Sequence, residues 1–224
     1  SSLLAVCCVT AAFSANMIMV QDRVTGVAGD FSITPVKRSV MSLGYYLSTA
    51  IVTGIICYIA TGVGFLYLAL VGWYLSAADV LLVLLDVFLL VLFGTALSSV
   101  VCHFLVNQGG MTAVSTIVSS AYGFLCGAYM PISQFSVGIQ NVISFLPGTY
   151  GTALLHNHFM RGVFTELETT HFPSEAVDGI RDSFDNNLYF FGDRVDISAM
   201  YLILGISIAA LVGIDRADTS DNAR

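Results

Sequence analysis

Charge is the scarcest thing in this 224-residue chain. Asp, Glu, Lys and Arg together make up 10% of it, against about a quarter in a soluble globular domain, and 56% of its residues are hydrophobic. That balance excludes a water-soluble globule. Basic residues are rarer still, 8 against 15 acids for a formal net charge of −7. Nucleic acid is therefore excluded as a partner, since its binding rests on Lys and Arg neutralising phosphates. With only 4 prolines, the chain is neither collagen-like nor disordered. Cys7, Cys8, Cys57, Cys102 and Cys126 all lie in apolar stretches, and no pair has CxxC spacing. They read as small apolar residues, not as a disulfide framework or a metal site. Catalytic signatures are missing too: there is no HExxH, no GxSxG and no phosphate-binding GxxxxGK[ST]. The chain reads as an all-α, polytopic helical membrane protein that is not itself an enzyme.

What is present is a set of long apolar stretches. Five are long enough to cross a bilayer, near 3–20, 42–73, 78–102, 111–130 and 197–214. Pro35, Pro131, Pro147 and Pro173 all fall outside them, as unbroken helical hydrogen bonding in lipid favours. The second stretch exceeds one perpendicular crossing, because about 1.5 Å per residue carries it well past a ~30 Å hydrocarbon core. It must tilt or leave a turn in the interface, and Trp73 and Tyr74 sit where an aromatic belt belongs. Lys and Arg placement sets orientation. Arg23, Lys37, Arg38, Arg216 and Arg224 fall on one side of the spans, against Arg161, Arg181 and Arg194 in longer segments on the other. The first side is expected to be cytoplasmic, with residue 1 outside and residue 224 inside. A first residue of Ser, with no basic n-region, suggests a fragment that has lost an earlier span, so that six spans would make the intact chain.

Two segments break the apolar pattern. Residues 131–147, PISQFSVGIQNVISFLP, are too short and too polar to cross alone. They read as a re-entrant or interfacial helix whose polar groups, among them Gln134, Gln140 and Asn141, need protein or a watery cavity around them; a simple surface loop is the alternative. Residues 148–196 form the one sizeable polar region, read as an external loop region and a lid on the membrane part. Within it Val177, Ile180, Phe184 and Leu188 recur at helical spacing after Pro173 and Ser174, which predicts an amphipathic helix. The permease domain is thus expected to comprise 1–147 and 197–224.

Asp86 is the one acid deep in a span, with Asp79 two turns away near the boundary and no Lys or Arg at matching depth. An ionisable residue in lipid is costly. Asp86 is protonated, hydrogen-bonded to a neighbouring helix, or part of a polar pathway in an ion- or proton-coupled secondary transporter or channel. Ser115, Ser119, Gly123 and Gly127 recur every four residues as a stripe of small side chains. Such a stripe lets helices approach closely, either between subunits or within one bundle. His156 and His158 form an HxH pair, with His171 further on. Zinc needs three or four converging ligands, so solvated histidines are the expectation there, and no metal is expected.

Two segments together carry a family resemblance. The stretch QDRVTGVAGDFSITPVKRSVMSLGYYLS, with Asp22, Arg23, Gly26, Asp30, Thr34, Pro35 and Arg38, resembles the coupling region of type-2 ATP-binding-cassette permeases. The stretch GAYMPISQFSVGIQNVISFLPGTYGTALL, bounded by Pro131 and Pro147, is similar to that family's re-entrant element. The resemblance covers roughly 15–155. It implies a six-span subunit of a multi-pass cell-membrane exporter, surrounded by lipid, that pairs with a second permease subunit as a homo- or heterodimer. It also implies that residues 21–41 dock on a separate ATPase subunit, which holds ATP and Mg; no cofactor belongs to this chain. The implied cargo is hydrophobic or amphipathic: a drug, a peptide or a lipid-like molecule. Eukaryotic half-transporters of this class carry cysteines in their large outer loop, and 148–196 has none. That favours a bacterial drug- or peptide-type exporter. The residues of 21–41 otherwise read as an interfacial anchor obeying the positive-inside rule.

Overall fold

The computed structural model describes residues 1–26, 38–105, 107–169, 179–181, 188–190 and 193–221. Helices dominate: α1 (Ser2–Val24), α2 (Arg38–Val71), α3 (Ala77–His103), α4 (Gln108–Leu125), α5 (Val137–Ile143), α6 (Pro147–Thr169) and α7 (Ile197–Asp221). A single 3-10 turn (Ile132–Gln134) precedes α5, and a two-residue antiparallel pairing, Tyr189–Phe190 with Asp193–Arg194, precedes α7. Among the described residues, four helices are long and apolar enough to cross a membrane: α1, α2, α3 and α7. The stretch expected to span at 111–130 forms α4, which ends at Leu125. Its 18 residues reach roughly 27 Å at about 1.5 Å each.

Local chemistry fixes the helix ends. α1 stops where Gly26 takes a left-handed φ of 83°, a conformation that costs glycine nothing. Arg23 reaches across from α1 and donates to the carbonyls of Cys102 (3.3 Å) and His103 (3.4 Å), satisfying the open end of α3 with a cation where the helix dipole favours one. The Ser76 N–H donates to Asp79 at 3.1 Å at the start of α3. Asn107 accepts from the Gly110 N–H at 2.6 Å at the start of α4.

Packing centres on α3, which touches α1, α2, α6 and α7. α1 runs against α3 so closely that a Cβ on Gly94 would stand 3.2 Å from the Cys8 carbonyl oxygen and from the Val9 Cα. Backbones approach in this way in lipid when a small residue sits at the crossing. Phe13, Val83, Val87, Leu90, Leu154 and Leu204 fill the interior. All five cysteines are free, and four of them are buried.

The largest departure from the sequence reading lies in 148–169, expected to open the external loop region. With Pro147 at their head, these residues form α6, packed on α3 and α7 and buried from Gly148 to His156. Pro147 supplies the physical reason: at a helix start its missing N–H costs nothing and its φ is already helical. The amphipathic helix expected from Val177, Ile180, Phe184 and Leu188 falls largely on residues outside the described set; of it, 179–181 are helical and Leu188 is buried.

Candidate functional site

Polar groups stand out in two features, one in the bundle interior and one along an open groove between helices. The first is built around Asp86. Nine residues into α3, it lies roughly 14 Å from Ala77 at about 1.5 Å per residue, and its side chain has no exposure at all. Nδ1 of His158, on α6, stands 2.5 Å from its Oδ2, a separation that requires a proton between the two atoms. The hydroxyl of Tyr201, on α7, donates to its Oδ1 at 2.6 Å. The His158 and Tyr201 rings stack at 6.3 Å between centroids and 25° between planes. Three helices are joined at one carboxylate.

Asp86 is therefore hydrogen-bonded to neighbouring helices, one of the alternatives left open by the sequence. The histidines depart from expectation: His156 and His158 are buried rather than solvated, since the segment carrying them is a packed helix. Ser2 bonds His156 Nε2 at 3.0 Å. Asp79 also finds a partner, because Arg161 on α6 approaches it at 3.5 Å. The Arg161 side chain is 61% exposed, so this pairing is made at the Asp79 end of α3 and not at Asp86. Towards the His103 end, Asp215 accepts from Ser42 (2.8 Å) and Ser99 (2.9 Å), and Asn16 bridges Ser98 and Thr49.

The second feature is a groove of about 430 Å³ between α1 and α4. Val6, Cys7, Thr10 and Ser14 line it from one side, Ser119 and Ser120 from the other, and Tyr129 closes one edge. The hydroxyl oxygens of Thr10 and Ser119 are buried without a hydrogen-bond partner among the described residues. The stripe is thus divided. Ser119 faces α1 across this groove. Gly123 lies under the Tyr129 ring, where a Cβ would come within 2.2 Å. Gly127, at φ 76°, belongs to the turn after α4 and not to its helical face. Ser115 is half-buried.

In 131–147 two polar side chains find carbonyl partners. Gln140 donates to the Phe135 carbonyl at 2.8 Å, and Ser144 donates to the Tyr189 carbonyl at 3.1 Å. Gln134 is exposed, Asn141 and the bounding Pro131 and Pro147 are half-buried, and Val137 and Val142 of α5 and Phe145 just after it are exposed. In 21–41, Asp22 accepts from the Tyr45 hydroxyl at 2.7 Å and Arg23 caps α3 as described. Arg38 begins α2; Asp30, Thr34 and Pro35 lie outside the described residues.

Residues 1–159, which include α1 to α5 and the first half of α6, match the model of the ABC-2 type transporter membrane domain. The chain belongs to the ABC-2 type transporter family. It is thus a multi-pass membrane subunit of an ABC transporter, the membrane component of a machine that works with an ATPase partner. No curated protein and no solved structure shows comparable similarity to it. The ABC-2 match ends one residue past His158, so Asp86 and His158 lie inside it and Tyr201 beyond it.

Proposed function

We propose that this ABC-2 subunit forms the membrane half of an ATP-driven exporter of hydrophobic or amphipathic molecules in a bacterial cell membrane. Two permease subunits pair, and a separate ATPase subunit carrying ATP and Mg docks on residues 21–41. In this reading the His103 end of α3 is cytoplasmic and the Ala77 end is external. Closure of the ATPase subunits pushes 21–41 and rearranges the permease halves as rigid bodies.

The observation that carries the cargo class is the groove between α1 and α4. Its lining exposes mostly apolar surface, with Leu3, Val6, Cys7 and Ala11 beside the exposed residues Ser14 and Ser120. A surface of that kind desolvates an apolar body and leaves hydrogen-bonding groups for a polar end. It offers no charge to hold an ion. The competing ion-coupled reading leans on Asp86, whose carboxylate is already engaged by His158 and Tyr201.

The test is transport in proteoliposomes containing the chain and its ATPase subunit, with a fluorescent amphipathic dye as cargo. ATP-dependent dye movement is expected. Asp22→Arg should leave insertion and ATP hydrolysis in place while abolishing dye transport. Tyr45→Phe, which removes the same hydrogen bond but keeps the acid, should transport normally. Asp86→Asn should still export with ATP. Dye movement driven by a proton gradient without ATP, and lost in Asp86→Asn, would overturn the exporter reading in favour of ion coupling.

A further inference from the structure

A carboxylate in a membrane span is costly enough that its partner usually states its purpose. The partner of Asp86 lies 72 positions away in sequence, on the helix that hydropathy did not single out. Asp86 and His158 side chains have 0% and 4% exposure. The titratable groups around them are few. α3 brings Asp79, tied to the Ser76 N–H and to Arg161; α6 brings Arg161 and the Ser2-bonded His156; α7 brings Tyr201. α2 brings Tyr58, whose hydroxyl donates to the Leu84 carbonyl, and this half of α1 brings Cys7 and Cys8. The carboxylate thus has one basic partner within bonding reach among the described residues, and that partner sits on a different helix.

We infer that Asp86 and His158 hold one proton between them as a net-neutral latch fastening α6 to α3, and that moving this proton within the pair releases α6. In the fastened form His158 is an imidazolium donating from Nδ1 to the Asp86 carboxylate, and Tyr201 donates to the second oxygen. Transfer breaks the Nδ1–H bond, whose electron pair stays on the imidazole as a lone pair, and forms an Oδ2–H bond. Net charge is zero before and after. The two groups then separate as neutral species, which an imidazolium and a carboxylate surrounded by apolar side chains cannot do cheaply. No proton is drawn from either side of the membrane, which distinguishes the latch from ion coupling. Tyr201 is a positioning residue: its hydroxyl favours the carboxylate, and its stacked ring holds the imidazole plane.

The test is amide hydrogen exchange of the full chain in lipid nanodiscs, read on the α6 peptides with α2 peptides as an internal reference. Asp86→Ala and His158→Ala each leave one group unpaired in the interior. Each should speed α6 exchange by about a hundredfold without changing α2. The swapped pair, Asp86→His with His158→Asp, should return most of that protection. Tyr201→Phe should have a smaller effect, about tenfold. Infrared spectra give an independent readout should the alanine variants fail to insert. The native chain should show no protonated-carboxyl stretch that disappears in Asp86→Asn, and Tyr201→Phe should make such a band appear. Single variants exchanging like the native chain, a swap no slower than the single variants, or a native Asp86 carboxyl band would each overturn the latch. Neither measurement uses ATP or cargo, so the outcome is separate from that of the exporter reading.

Discussion

Along α2 the buried positions include Ser42, Thr49, Thr53, Cys57 and Thr61, while Leu47, Ile51, Ile55, Ile59 and Leu66 are exposed. Along α3 the buried positions mix Val83, Val87, Leu90 and Phe93 with Asp86, Thr95, Ser98 and Ser99. Both helices are strongly apolar, yet only 11% of the spanning window of α2 is buried against 50% of that of α3. The difference teaches what marks the inside of a bundle in lipid. Leu and Ile are indifferent between a helix neighbour and an acyl chain, so an exposed aliphatic residue costs nothing there. A hydroxyl or a carboxylate is not indifferent. Thr49, Thr53, Cys57 and Thr61, spaced four apart, are the seam by which α2 faces its neighbours, and its bulk faces outward. α3, touching four other helices, spends more of its aliphatic bulk on packing and leaves Leu81, Leu85 and Phe88 exposed.

The sharpest way to break this comparison is to put a charge on the outward face of α2. Ile55→Asp, near the middle of that span and 56% exposed, should cost about 3 kcal/mol of insertion and deplete membrane-integrated protein in a protease-protection assay. The next effect is steric. Gly94→Leu should force α1 from α3 and destabilise the bundle by about 1–3 kcal/mol, read as a fall in thermal midpoint in detergent. Gly54→Leu on α2, where nothing lies within 4 Å of the new Cβ, should leave that midpoint in place. Smallest of all is Thr53→Val. Its hydroxyl is buried without a partner among the described residues, so the loss should be neutral or slightly stabilising. A clear drop in the same thermal assay would mean that the hydroxyl is bonded in the membrane.

The sequence made the apolar half of this architecture legible and much of the polar half illegible. Hydropathy alone located α1, α2, α3 and α7, because runs of Leu, Val and Ile without charge have few other uses. It also isolated Asp86. It did not reveal His158, because α6 mixes Gly, Thr, Asn, His and Arg and so reads as loop by average polarity. The available signal was local. Pro147 is followed by an unbroken run without proline or a charge cluster, beginning GTYGTALLHNHFM, and proline at the first helical position is a start signal as much as a stop. Read as the closing residue of the preceding element, it hid the helix it opens. The stripe on α4 fared differently: its spacing is real, but the backbone turns before Gly127, and Tyr129 folds back over Gly123. Regular spacing does not record where a helix stops.

One feature of α2 has a mechanical side. Its 34 residues make a rod of roughly 51 Å at about 1.5 Å per residue, so some 20 Å exceed a ~30 Å hydrocarbon core. No proline interrupts it. A stiff rod held near its middle by a seam of small side chains is a lever whose fulcrum lies inside the membrane. A swing of roughly 10° about that fulcrum carries each end by about 4 Å on that length, in opposite directions, so a displacement where Arg38 begins the helix is returned, reversed, where Val71 ends it.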